Sequence, residues 1–277
     1  MHRYPSVPHL LALCALALPL SQFLVYPLAA TWSPRLGMVA AELVLLWSLS
    51  LSARRDRWAA ADVLLLNATR PGVLPVAALT AAAAAMAIAH FDVACAQLLR
   101  QLDVSLPAGL QRDLLELQLI RHRGEALPVL ASAVLAPCLC EEAFFRGFAL
   151  TSLAAHRGRA PALVGSAALF AAVHYNPWQL PALFVFGLFL GLLVWWTHSL
   201  YPAIVAHGVN NALSVAGVNL RAHTGLDLVG AAEPVPRALL AVAAVILVLG
   251  VRFLKRQQPP LPLIIRDVGE HPDDWVA

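Results

Sequence analysis

Long runs of apolar residues, separated by short polar segments, constrain this chain more than any other feature of its sequence. The chain has 277 residues, of which 60% are hydrophobic and 13% are charged, and its mean hydropathy is +0.72. A soluble domain carries about a quarter charged residues. A membrane helix needs roughly 20 apolar residues to cross the hydrocarbon core. The sequence therefore predicts an all-α fold, a polytopic membrane bundle of about eight transmembrane helices with a polar cavity inside it.

Eight apolar segments account for these helices. They cover approximately 10–30, 37–52, 73–98, 127–155, 161–174, 181–196, 202–218 and 236–253. Residues 58–67 are predicted to form a short interfacial helix, and 100–125 an amphipathic surface helix or a packed loop. The chain then divides into N-terminal helices with the amphipathic segment (1–125), core helices (126–218), a last transmembrane helix (219–257) and a flexible tail (258–277).

Basic residues indicate how the helices are oriented. They cluster at 54–57, 157–159 and 252–256, after the second, fourth and eighth predicted spans, and Arg3 precedes the first. Cytoplasmic loops of membrane proteins are enriched in Lys and Arg, so we expect both termini in the cytoplasm. The net charge of +3 is small and is distributed as topology signals, which argues against nucleic-acid binding.

A charged cluster follows the uncharged run 126–140 and consists of Glu141, Glu142 and Arg146. Each ionisable residue in a membrane helix costs about 2.5 to 3.5 kcal/mol on insertion scales, so such residues usually mark a functional site. Glu142 and Arg146 are four residues apart and can pair on one helix face. Arg146 then neutralises one acid and leaves Glu141 free for chemistry.

Pro137, four residues before Glu141, predicts a local distortion of the same helix. A proline inside a helix has no N–H to donate, so the carbonyl of Ala133 loses its partner and a bend or a widened turn is expected. Within a membrane such a defect is tolerated only against protein or a water-filled cavity. This supports a cavity beside Glu141.

Further polar residues occupy the fifth and seventh apolar segments. His174 ends the fifth, and His207 and Asn211 lie on one helix face of the seventh because they are four residues apart. If these side chains share a cavity with Glu141, they supply a base, proton carriers and hydrogen-bond donors. Structural roles are expected for three other ionisable residues of the apolar segments, namely Glu42, His90 and Asp92.

Three motifs occur in order: Glu141-Glu142-x-x-x-Arg146, Phe170-x-x-x-His174 and His207-x-x-x-Asn211. With them, the segment 126–218 resembles the CPBP family, also called Abi, of CAAX prenyl proteases and bacteriocin-processing enzymes. The resemblance implies a glutamic-type intramembrane endopeptidase that cleaves a membrane-anchored or lipidated substrate near its C-terminus. The expected partners are a membrane-associated peptide or protein substrate and the lipid bilayer of a bacterial inner membrane, with no nucleic acid.

The resemblance also implies a role for each motif residue. Glu141 is expected to be the general base that activates water, and His174 to assist the proton transfers. His207 and Asn211 are expected to stabilise the tetrahedral oxyanion. The supporting residues, which hold Glu141 or wall the cavity, are Glu142, Arg146 and Phe170.

Alternatives to this mechanism and to this function stay open at the level of sequence. No cofactor is expected for the glutamate mechanism, whereas a zinc site would use Glu141, His174 and His207 as ligands. The two histidines come from different helices without an H-E-x-x-H arrangement, which favours the glutamate mechanism. Two functional alternatives are a non-proteolytic membrane scaffold or bacteriocin-immunity protein of the same family, and a transporter that relays protons through its buried carboxylates.

Overall fold

The computed structural model describes residues 4–104, 106–227 and 235–257, which form ten helices and no strands. The first five helices are α1 (Val7–Ala30), α2 (Pro34–Asp56), the single turn α3 (Ala60–Val63), α4 (Val73–Gln101) and α5 (Ala108–Gln118). The other five are α6 (Arg123–Arg157), α7 (Arg159–Ala172), α8 (Leu180–Thr197), α9 (Tyr201–Thr224) and α10 (Arg237–Lys255). The predicted all-α bundle is confirmed. Arg3 and the predicted flexible tail 258–277 lie outside the described residues.

Six of these helices, namely α1, α2, α4, α6, α8 and α10, are long and apolar enough to cross a membrane, so this is an integral membrane protein. The other two predicted spans differ from them. α7 has 14 residues, about 21 Å at 1.5 Å per residue, whereas the hydrocarbon core is roughly 30 Å thick. α9 has 24 residues but carries several polar side chains, His207 and Asn211 among them. The number of eight crossings stays a prediction.

The predicted interfacial helix at 58–67 is wrong in its length. Only Ala60–Val63 is helical, and Trp58 is buried. The Trp58 ring packs against Phe148 of α6, and its Nε1 donates a hydrogen bond to Ser52 at 3.0 Å. The segment is therefore mostly a turn, and it inserts the aromatic side chain of Trp58 into the bundle.

α6 departs twice from regular α-helical hydrogen bonding. A π-helical turn covers Ala131–Leu135, just before Pro137. The proline has no N–H for the preceding turn, and the widened turn predicted there is confirmed. A second π-helical stretch covers Glu142–Ala149 and carries part of the charged cluster. Turns of this kind occur frequently at functional sites.

α6 is central to the bundle, since α2, α7 and α9 all pack against it and α8 packs on α7. Its side chains Phe144, Phe145 and Phe148 are completely buried. The Phe144 ring lies 5.2 Å from that of Phe145 and 6.1 Å from that of Phe148. In a membrane, where lipid tails are as apolar as leucine, van der Waals packing of such side chains holds helices together.

The amphipathic segment lies outside the bundle. α5 has no buried residue, as expected for a surface helix. Arg35 of α2 donates hydrogen bonds to three carbonyl oxygens around the C-terminal end of α5. Asn219 of α9 accepts the Ile120 N–H at 2.7 Å. A cation near the end of a helix satisfies carbonyls that have no intrahelical partner, so α2 and α9 together anchor the surface helix.

Close packing of α10 on α4 predicts sensitivity at Gly250. A Cβ atom at this position would overlap the hydroxyl of buried Thr80 and lie 3.0 Å from its Cβ. Gly250→Ala should lower the thermal stability of the purified protein in detergent, by about 1 to 3 kcal/mol as is usual for overpacking. Adding Thr80→Ala should restore part of the loss, because it removes the overlapping hydroxyl.

The matched control for this pair is Leu249→Ala, since Leu249 is exposed on the lipid side of α10. Its Tm should stay close to that of the unmodified protein. A Gly250→Ala protein as stable as this control would contradict the described contact.

Candidate active site

Glu142 and Arg146 form a completely buried ion pair, in which Nη1 of Arg146 donates to Oε1 of Glu142 at 2.8 Å. The guanidinium also donates to the carbonyl of Gly187 at 3.4 Å and lies over the Phe170 ring, 4.0 Å from its centroid. A guanidinium is more weakly hydrated than an ammonium and stacks on aromatic faces, which makes it suited to such a buried site. The structure thus contains the pair expected from the four-residue spacing.

His207 is the third member of this buried group. Its Nδ1 lies 2.8 Å from Oε1 of Glu142, and its Nε2 lies 3.9 Å from Oε2 of Glu141. Because a carboxylate accepts hydrogen bonds, Nδ1 carries a proton and Nε2 is the nitrogen directed toward Glu141. The rings of Phe170 and Phe186 meet the imidazole edge to face, at 5.9 Å and 5.4 Å. The acid and the aromatic rings together fix the orientation of the histidine.

Glu141 forms no ion pair with an arginine among the described residues. Its side chain keeps 11% of its exposure, whereas that of Glu142 keeps none. Its Oε2 is buried and has no hydrogen-bond partner in the described part of the chain. A buried polar atom without a partner is energetically costly, so this oxygen is suited to binding water or a substrate.

A further carboxyl group enters the site from α2. Glu42 lies within hydrogen-bonding reach of Glu141, and its Oε2 is buried. A structural role was expected for Glu42, and its contact with Glu141 was not predicted. The one available signal in the sequence was the presence of an ionisable residue in an apolar span.

His174 lies two residues beyond the end of α7, with an exposed side chain. Its Nδ1 bonds to the carbonyl oxygen of Phe170 at 2.7 Å. Because a carbonyl only accepts, Nδ1 holds a proton, and Nε2 of the neutral ring is free to accept one. Within the described ranges no ion pair joins His174 to Glu141 or to Glu142.

Asn211 lies one turn beyond His207 on α9, and the four-residue spacing puts the two on the same helix face. Its Oδ1 accepts a hydrogen bond from Asn210 at 3.1 Å. The amide group of Asn211 therefore has its NH₂ left to donate. In the described part of the chain, the recorded hydrogen bonds do not link Asn211 to either acid.

Phe170 packs among three of the side chains that the motifs singled out. Its ring centroid lies 4.0 Å from Cζ of Arg146, 4.7 Å from the His174 ring and 5.9 Å from the His207 ring. The side chain is 1% exposed. Phe170 of α7 therefore packs between α6 and α9 at the level of the site. Its role as a cavity wall stays a prediction.

Comparison with known proteins bears on the same helices. Residues 123–213 match the family model described as type II CAAX prenyl endopeptidase Rce1-like. This segment is a CAAX-protease family domain. The domain begins with α6, ends within α9 and contains every residue of the three motifs. The family resemblance of the motifs is confirmed for this segment, and at family level it supports a CAAX-protease-like intramembrane endopeptidase. No curated protein and no solved structure matches the chain.

The side chains of the CAAX-protease domain do not gather into a zinc site in this arrangement. Across residues 4–104, 106–227 and 235–257, no group of three His, Cys, Asp or Glu side chains is positioned to hold a metal ion. A zinc ion needs ligands at about 2.0 to 2.2 Å around one point. The set of Glu141, His174 and His207 does not fit this requirement.

The buried ion pair of the CAAX-protease domain predicts a large loss of stability in Arg146→Ala, because the buried Glu142 would lose its cation and keep only its hydrogen bond with His207. Breaking such a pair costs about 3 to 5 kcal/mol. Arg146→Lys should recover only part of this, since an ammonium cannot pair with Glu142, reach Gly187 and stack on an aromatic ring at once. Thermal unfolding of the purified protein in detergent measures both effects.

Arg157→Ala is the control, because Arg157 is an exposed arginine at the end of the same helix. Its Tm should be close to that of the unmodified protein. Equal Tm values for the Arg146→Ala and Arg157→Ala proteins would mean that the buried pair contributes nothing.

Proposed function

We propose that this protein hydrolyses a peptide bond near the C-terminus of a membrane-anchored or lipidated substrate, using a water molecule activated by Glu141. One observation carries the proposal. Arg146 pairs with Glu142, and Glu141 is left without an arginine partner, in a buried position beside His207. A carboxylate held in this way is suited to general base catalysis, provided that water can reach it.

In the first step, Glu141 takes a proton from water while the water oxygen attacks the carbonyl carbon of the scissile bond. The π bond of that carbonyl opens, and its oxygen becomes the oxyanion of a tetrahedral intermediate. Burial strengthens the attraction between the developing oxyanion and its hydrogen-bond donors, because charges in a site with little water are poorly screened.

Two side chains of α9 are suited to stabilise this oxyanion. Nε2 of His207 points toward Glu141, on the side opposite to the nitrogen bound by Glu142. Since Nδ1 already donates to Glu142, Nε2 donates to the oxyanion only when the ring holds both protons. The charge of that ring and of Arg146 then balances the charges of Glu141 and Glu142. The NH₂ group of Asn211 supplies the second donor.

Collapse of the intermediate breaks the C–N bond and releases an amine, which takes up the proton removed from water. His174 is suited to pass on this proton, because its Nε2 is free and its side chain is exposed. The products are an amine and a new carboxylic acid, which releases its proton to solvent, and the protein returns to its starting protonation state.

The wider assignments follow from the same proposal. We assign catalysis to the core helices 126–218 and propose lipidated CAAX peptides as the first substrates to test, as the name of the matching family model suggests. Basic residues in the last turns of α2, α6 and α10 support cytoplasmic termini in a bacterial inner membrane. No metal cofactor takes part in the proposed steps.

Cleavage of a farnesylated CAAX peptide by the purified protein in liposomes tests this function. Glu141→Gln should lower kcat by about 100- to 10,000-fold, the usual contribution of a general base. Glu116→Gln is the matched control, because Glu116 is an exposed acid on α5, and it should keep the unmodified rate. Mass spectrometry of the fragments identifies the bond that is cut.

Three outcomes would contradict the proposal. Unmodified cleavage by Glu141→Gln would remove the proposed base. Loss of activity with a chelator, restored by zinc, would favour the metal-dependent mechanism. Full biological activity of Glu141→Ala, with no peptidase activity in the unmodified protein, would favour a scaffold or an immunity protein.

The oxyanion assignment makes a separate prediction for Asn211. Asn211→Ala should lower kcat by about 100- to 1,000-fold, as the loss of one oxyanion donor does in comparable sites, with little change in KM. Arg221→Ala, at an exposed position in the last turn of the same helix, is the control and should retain the rate. A change confined to KM in Asn211→Ala would instead assign Asn211 to substrate binding.

A further inference from the structure

We propose that Glu42 of α2 is a positioning residue for Glu141. Its carboxyl group holds that of Glu141 by a hydrogen bond and so sets the direction in which Glu141 faces the reacting water. The inference rests on the proposed function, because it assigns Glu42 to the reaction of Glu141. It extends the site beyond the matched segment 123–213, to a helix near the N-terminus.

The position of Glu42 calls for an explanation. It is the one ionisable residue in the apolar part of α2, between Arg35 and Arg54. Such a residue in a membrane helix costs about 2.5 to 3.5 kcal/mol on insertion scales unless it finds a partner. Arg35 does not serve as that partner, since its guanidinium is engaged by Glu125 and by carbonyls around the end of α5.

Packing directs Glu42 to the site. α2 packs against α6 in the part that carries Glu141, and the Glu42 carboxyl lies within hydrogen-bonding reach of the Glu141 carboxyl. Oε2 of each residue is buried and has no hydrogen-bond partner within the described residues. Each carboxyl group can therefore supply the hydrogen-bond partner that the other one lacks.

Two neighbouring carboxyl groups form a hydrogen bond only when one of them holds a proton, because two adjacent carboxylates repel each other. Arg146 balances the charge of Glu142, and the proposed mechanism uses the second proton of the His207 ring to balance that of Glu141. A neutral Glu42 that donates its O–H to Glu141 keeps the buried group without net charge. This arrangement leaves Glu141 ionised, as a general base has to be.

The contact matters because the other recorded contacts of Glu141 are loose. Nε2 of His207 lies 3.9 Å from Oε2 of Glu141, which is longer than a hydrogen bond. Without a second support the carboxylate can rotate about its side-chain torsions. A general base has to stay within about 0.5 Å of its productive position, so a group that restrains Glu141 affects the rate and leaves substrate binding unchanged.

The test uses the full-length protein, the farnesylated CAAX peptide and the variants Glu42→Leu and Glu42→Gln. Leucine has similar bulk but cannot donate, whereas the amide of glutamine can. We expect Glu42→Leu to lower kcat by on the order of 100-fold with unchanged KM, the usual effect of a misplaced catalytic group. Glu42→Gln should keep most of the rate, and Leu43→Ala, at the adjacent exposed position, should keep all of it.

A second measurement separates positioning from folding. In a Glu141→Asp background the shortened acid no longer reaches Glu42, so adding Glu42→Leu should lower kcat much less than it does in the unmodified protein. A general loss of structure would instead lower kcat by the same factor in both backgrounds. Thermal unfolding in detergent accompanies each variant.

The outcomes separate this inference from the proposed function. If Glu141→Gln is inactive while Glu42→Leu keeps the unmodified kcat, the function stands and the role of Glu42 is wrong. Equal losses in Glu42→Leu and Glu42→Gln, or equal effects in the two backgrounds, would also overturn that role. If Glu141→Gln cleaves normally, the proposed function fails first and the role of Glu42 fails with it.

Discussion

The buried ion pair between Glu142 and Arg146 determines how much charge the interior of this bundle can hold. An isolated carboxylate in a medium without water is strongly unfavourable, and two adjacent ones are worse. Arg146 neutralises Glu142, and His207 binds the same oxygen of that acid. Glu142 thus positions a cation and an imidazole at once, which allows Glu141 to remain in the site without an arginine of its own.

The surroundings of the pair are as important as the pair itself. Arg146 needs more than one acceptor, and it finds the carbonyl of Gly187 on α8 as well as the ring of Phe170 on α7. Four helices therefore meet around one guanidinium, once His207 of α9 is included. A membrane protein has little hydrophobic driving force between its helices, so polar contacts of this kind specify which helices become neighbours.

Those parts of the site that depend on short spacings along the chain could be predicted from the sequence. The pairing of Glu142 with Arg146 and the widened turn before Pro137 follow from the geometry of one helix. The role of Trp58 could not be predicted in this way, because an aromatic residue between two apolar segments is as typical of an interfacial anchor as of a buried side chain. Its burial against Phe148 depends on how α6 packs.

The same limit applies to contacts between helices far apart in sequence. The sequence pattern shows that Glu42 is an unusual residue, but it does not show which helix lies beside it. The bond between His207 and Glu142 was also missed, because both residues were expected to act on other groups. The second π-helical stretch contains no proline that would predict it, and the sequence offers no other signal for it.

The shortness of α7 has a consequence for the lipid around the site. A helix of 14 residues spans about 21 Å, so a crossing by α7 that starts at Arg159 would end inside a hydrocarbon layer roughly 30 Å thick. The turn that follows includes Tyr175 in a left-handed conformation, with φ of 50°, and Asn176, which donates to Gln179 at 2.8 Å. Irregular backbone at such a depth is stable only beside protein or water. Such a turn therefore needs neighbouring protein or water around it, and water at this depth would reach His174 without having to cross lipid.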